Sequence, residues 1–153
     1  MRKRIAISVV LLIVCFFLYM RPERVQRGSE MFEVVTRIDA GSNRTITILT
    51  DTEPFEIPAY YYEIDEGSQK IVRTCFLRCC LRNSFRLVTS RDQSVVGLTF
   101  NGQPDVLLLA YDFNAPRRGT PGDELSCSRA AEGAPSARDK LQSENPQLNL
   151  KLP

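Results

Sequence analysis

The hydrophobic pattern changes character twice along this chain. From Ile5 to Met20 it is unbroken: IAISVVLLIVCFFLYM carries no charge, no Gly and no Pro, and Ser8 is its only strongly polar residue. From residue 32 to residue 113 apolar and polar positions alternate in short runs separated by turn residues. Beyond residue 113 the pattern dissolves into polar residues and scattered prolines.

The unbroken run predicts a helix in a bilayer. Hydrocarbon offers the backbone no hydrogen-bond partners, so a lone apolar segment must satisfy its own. Sixteen residues at about 1.5 Å rise reach roughly 24 Å, short of the ~30 Å hydrocarbon core. Arg2, Lys3 and Arg4 on one side and Arg21, Arg24 and Arg27 on the other can snorkel outward to make up the difference. Tyr19 stands where an interfacial aromatic is expected. A cleaved signal peptide needs small residues before its cleavage point, and Leu18, Tyr19 and Met20 are bulky. Val14 ahead of Cys15 does not fit a lipoprotein signal either. The basic start, with the bulk of the chain following, predicts a single-pass signal anchor with the N-terminus inside and the rest extracytoplasmic.

The alternating region predicts seven strands. Residues 32–39 place Phe32, Val34, Thr36 and Ile38 against Glu33, Val35, Arg37 and Asp39, the period of a half-buried strand. Ala40-Gly41-Ser42-Asn43 is turn chemistry, and the β-branched run at residues 44–50 completes a hairpin. Pro54 and Pro58 predict an extended connection. Residues 59–64 put Tyr60, Tyr62 and Ile64 on one face, and Asp65-Glu66-Gly67-Ser68 reads as the turn after them. Residues 70–77, 84–90, 95–100 and 106–113 follow, with Asn101-Gly102 and Pro104-Asp105 as turn signals between the last two. In the last, Leu107, Leu109, Tyr111 and Phe113 alternate with Leu108 and Ala110, so both faces are expected to be covered.

The expected organisation is therefore a transmembrane anchor (1–21), a polar linker (22–30), a small β domain (31–113) and a disordered tail (114–153), in which residues 139–142 make no more than a helical turn. The fold class is all-β: an antiparallel meander closing as a sandwich or partly open barrel.

Charge is segregated within a net +2. Residues 1–30 carry +4, 31–66 carry −6, 67–91 carry +6, 92–113 carry −3 and 114–153 carry +1. Consecutive acidic and basic blocks joined by a hairpin turn predict pairing across one sheet rather than a basic patch for lipid headgroups or nucleic acid.

Candidate chemistry is sparse. The chain has no His, which removes the commonest general base and metal ligand and with them Ser-His and Cys-His nucleophile pairs. No P-loop, G-x-S-x-G or dinucleotide fingerprint is present. Cys75, Cys79, Cys80 and Cys127 lie beyond the anchor, and outside the cytoplasm they can form two disulfides in three connectivities. Their Cys-x3-Cys-Cys spacing is not a zinc pattern. Asp51, Glu53, Glu56, Glu63, Asp65 and Glu66 read as a solvated acidic face, since they match no calcium loop. Asn43-Arg44-Thr45 is a glycosylation sequon. The chain therefore reads as a non-enzymatic, membrane-tethered interaction or structural module. It touches lipid through residues 5–20 and an unnamed protein partner through its domain, without catalytic, metal or cofactor residues. The alternative is thiol-based metal handling or redox chemistry at Cys75, Cys79 and Cys80.

Overall fold

The computed structural model describes Leu12, Cys15 and residues 21–51, 58–77, 85–100, 104–115 and 134–151. Among the described residues eight antiparallel strands form two meander sheets. The first holds β1 (Arg24–Arg27), β2 (Glu30–Gly41), β3 (Arg44–Asp51), β4 (Tyr60–Glu66) and β5 (Gln69–Leu77) in chain order. The second holds β6 (Phe85–Thr89), β7 (Val95–Phe100) and β8 (Leu109–Asp112). A helix, α1 (Ala134–Glu144), follows. The chain is thus mostly antiparallel β, as the alternation predicts.

Local sequence explains the hairpins. β2 and β3 close through Ser42-Asn43, both at positive φ (53° and 61°), the requirement of a type I′ loop. Two further two-residue loops begin with glycine at positive φ: Gly28 between Arg27 and Glu30, and Gly67 between Glu66 and Gln69. Both are Gly-Ser, one in RGSE and one in EGSQ. The first belongs to the stretch read above as a linker. Residues 24–27 are instead a strand, because their register on β2 sets Arg24 opposite Glu33 and Val25 opposite Phe32.

The first sheet is curled, and its outer face packs on the second. Ile46, Ile48, Tyr60, Tyr62, Ile64, Val72, Cys75 and Leu77 meet Val96, Leu98, Leu109 and Phe113 in one core. A register shift in β2 between Val34 and Thr36 decides which side chains reach it. Phe32 and Val34 pair with Asp51 and Leu49, whereas Thr36 and Ile38 pair with Ile48 and Ile46. One extra residue, Val35, moves the faces by half a period. Phe32, expected on the face of Ile38, therefore lies on the opposite one, edge-on to Tyr61 with ring centroids 5.1 Å apart.

The other face of the second sheet is covered by α1. Val88, Val95, Leu107 and Ala110 pack on Ala137, Leu141 and Leu150, and these last three are 1% exposed or less. This overturns a disordered tail over residues 134–151; residues 116–133 lie outside the described residues. The prolines mislead because Pro135 sits in the first helical turn, where its missing N–H is harmless. The final segment is strapped down by backbone bonds: Lys151 N–H to Asp105 O (2.6 Å) and Leu107 N–H to Lys151 O (2.8 Å). β8 is therefore covered on both faces, as its composition predicts.

Among the described residues no helix is long and apolar enough to cross a membrane. Residues 5–20 lie outside them except for Leu12 and Cys15, which have helical backbone and exposed side chains.

Candidate functional site

Two polar clusters stand out. The first is on the inner face of the curled sheet, around Glu63, whose side chain is fully buried. Arg27 reaches it from β1, donating from Nε to Oε1 (2.7 Å) and from Nη2 to Oε2 (2.8 Å). Lys70 Nζ on β5 donates to Oε2 at 2.7 Å, and Thr74 Oγ1 donates to Oε1 at 3.0 Å. Each carboxylate oxygen thus accepts two bonds, its full capacity. Lys70 also reaches Asp65 at 3.0 Å.

Backbone geometry serves this carboxylate. Tyr62 pairs with Cys75 and Ile64 with Val72, so Glu63 alone faces both Arg73 and Thr74, a β-bulge. Thr74 sits at φ 40°, which is strained for a β-branched residue. Such strain costs on the order of 1–3 kcal/mol, and a fixed partner must hold it. Burial pushes the Glu63 carboxyl up, but the hydrogen bonds from Arg27 and Lys70 outweigh it and leave the pKa at about 2. Glu63 is therefore a saturated anion, charged at neutral pH. It has neither the raised pKa of a general acid nor a lone pair left for substrate.

The second cluster lies where α1 meets the β6–β7 hairpin. Asp92 Oδ1 accepts from Ser90 Oγ (2.6 Å), Ser94 Oγ (2.8 Å) and Ser94 N–H (3.1 Å). Lys140 Nζ donates to Asp92 Oδ2 and Ser94 Oγ, both at 2.7 Å. A serine hydroxyl at that distance from a lysine amine has the geometry of a Ser-Lys nucleophile pair. The electrostatics are opposite. The hydrogen bond that Lys140 donates to Asp92 raises the Lys140 pKa, and a lysine acting as a base needs its pKa lowered. Lys140, Ser90 and Ser94 together hold Asp92 below the usual carboxylate range. The cluster docks the helix.

A third polar joint ties the sheets together. Arg44 lies 3.9 Å over the Phe113 ring while its Nε donates to Glu66 (2.9 Å) and its Nη1 to Gln93 O (2.8 Å).

The residues singled out by sequence are only partly brought together. Cys75 is buried in the core and is disulfide-bonded to a cysteine outside the described residues. Cys79, Cys80 and Cys127 all lie outside them, so no bridge joins two described cysteines, and Cys15 is free. Glu53 and Glu56 also lie outside. Of the remaining acidic residues, Asp51 caps the Ala59 N–H at 3.3 Å, Glu66 binds Arg44, and Glu63 and Asp65 share Lys70. The acidic stretch is thus no uniformly solvated face. The expected pairing of acidic with basic block holds for Lys70, but Glu33 and Glu63 take Arg24 and Arg27 from ahead of the acidic block. Among the described residues no group of three His, Cys, Asp or Glu could hold a metal ion. Asn43 of the sequon is exposed in the β2–β3 turn. Sequence reasoning missed Arg27, Thr74 and Lys140. For Arg27 the signal was the Gly-Ser loop that follows it.

No protein-family model matches the chain, and no curated protein or solved structure is significantly similar to it.

Proposed function

We propose that this chain is a membrane-anchored, non-enzymatic module: a helix at residues 5–20 carries a rigid extracytoplasmic β domain whose role is structural or adhesive towards another protein. The observation that carries this reading is the direct passage from apolar run to folded sheet. Glu23 is already bonded to β2 through its backbone and its carboxylate, so the domain is set on its helix without a flexible spacer. Saturated polar clusters support the non-enzymatic half. Among the described residues every buried side-chain nitrogen and oxygen has a partner. A disulfide at Cys75 fits an oxidising compartment and removes one of the three thiols that metal handling would use.

Alkaline carbonate extraction, intact mass and protease protection of the full chain test the reading together. The expected result is an unprocessed, membrane-retained chain whose domain resists protease on the cytoplasmic side. A soluble product beginning beyond Met20, or a domain cleaved from the cytoplasmic side, overturns it. Stoichiometric copper or zinc lost on Cys75→Ser supports the thiol alternative instead.

A further inference from the structure

We propose that the β1–β2 ribbon lies directly on the phospholipid headgroups, with Val35 and Met31 among them and Arg21 and Arg24 alongside. This rests on the anchor proposed above. Two residues, Arg21 and Pro22, separate Met20 from Glu23. Glu23 belongs to the sheet: its carbonyl accepts the Val34 N–H at 2.8 Å and its carboxylate grips both terminal nitrogens of Arg37 at 2.5 and 2.6 Å. Three peptide units reach at most about 11 Å. One headgroup layer is roughly 5–8 Å deep. Glu23 can therefore stand no more than roughly 3–6 Å beyond the headgroups, which holds the sheet edge close against the surface.

The side chains at this junction suit that position. Val35 follows Val34 directly, and the β2 bulge leaves it outside the β2–β3 register, 44% exposed. Met31, four residues back on the same side of the strand, is 49% exposed. With Leu12 in the apolar run itself, these make three of the four large apolar side chains exposed among the described residues; Phe76, on β5, is the fourth. Arg21 is exposed, and Arg24, held to Glu33 at 3.0 Å, keeps 59% of its side chain open. Apolar side chains flanked by arginines match an interface of acyl chain, glycerol and phosphate.

The chain contains no tryptophan, so a single introduced one reports its own surroundings. The full chain, as Val35→Trp, Met31→Trp or Gln69→Trp, is reconstituted in phosphatidylcholine vesicles with and without a headgroup nitroxide lipid. Gln69 is exposed at the far end of the strands, opposite Glu66. The expected result is a roughly two- to threefold loss of emission for V35W and M31W, as for an interfacial aromatic, with Q69W unaffected. Vesicle-bound protein in which V35W and M31W are quenched no more than Q69W overturns the apposition and leaves the anchor standing. Protein that fails to float with the vesicles overturns the anchor and the apposition together. Two reporters guard against one substitution disturbing the bulge.

Discussion

Arg27, on the first strand of the curled sheet, closes two of its N–H groups on the buried carboxylate of Glu63, on the fourth. In a flat sheet those strands lie about 14 Å apart. The contact thus spans the concavity and ties β1, the strand that follows the apolar run, to the middle of the domain. Lys70 and Thr74 join from β5, so one anion gathers donors from both edges of the sheet.

Glu63→Gln is expected to destabilise the domain by about 3 kcal/mol, because Arg27 and Lys70 lose their counter-charge in a half-buried site. Chemical denaturation at pH 7 measures it. A change within error of zero would remove Glu63 from its central place in the sheet.

Acid dependence follows from the same group. Its folded pKa, about 2, lies below the ordinary 4.5. The stability it contributes is therefore complete above about pH 4.5 and is lost as pH falls through 2. It amounts to on the order of 3 kcal/mol. Melting curves between pH 5 and 2 should steepen for the parent chain and flatten for E63Q.

A chain ending at Phe113 is expected to lose cooperative folding or to melt far below the full chain. It would uncover Val88, Val95, Leu107 and Ala110. Leu141→Ala is the milder form, costing about 2–5 kcal/mol. Gly97→Val should act in the same place, since even a Cβ there would come within 2.6 Å of Leu107 Cδ2 and 2.8 Å of Leu141 Cδ1. Unchanged melting of the truncated chain would show that α1 contributes nothing.

Ser94 is expected to be inert towards a fluorophosphonate probe at pH 7, because Lys140 beside it stays protonated. Labelling of Ser94 that disappears in Lys140→Met would turn the helix dock into a nucleophile.

Arg44→Lys is expected to weaken the joint between the sheets by about 1–2 kcal/mol. An ammonium cannot at once stack on Phe113 and reach Glu66 and Gln93 as the planar guanidinium does. Urea melts of R44K and Arg44→Ala, falling together, would show that geometry rather than charge matters there.

By itself the sequence determined what depends on near neighbours. The period of two named seven strands, because alternate side chains of a strand must part to opposite faces. Ser42-Asn43 and Gly67-Ser68 announced two hairpins through residues that tolerate positive φ. The double coverage of β8 was legible in Leu107, Leu108, Leu109 and Ala110. Tertiary structure decided the rest. β1 is too short to show a period, and it is a strand because β2 offers it an edge and Glu63 a counter-ion. The Val35 bulge is invisible to a pattern that assumes strict alternation, yet it sends Phe32 and Ile38 to opposite faces. α1 has only two alanines, Ala134 and Ala137, and Leu141 at helical spacing among mostly polar residues, and it is stable because the second sheet has an apolar face left to cover. Glu63 looked like one carboxylate in an acidic run. Burial, one donor from the far edge strand β1 and two from the neighbouring β5, which no local pattern encodes, made it a fully buried, saturated charge.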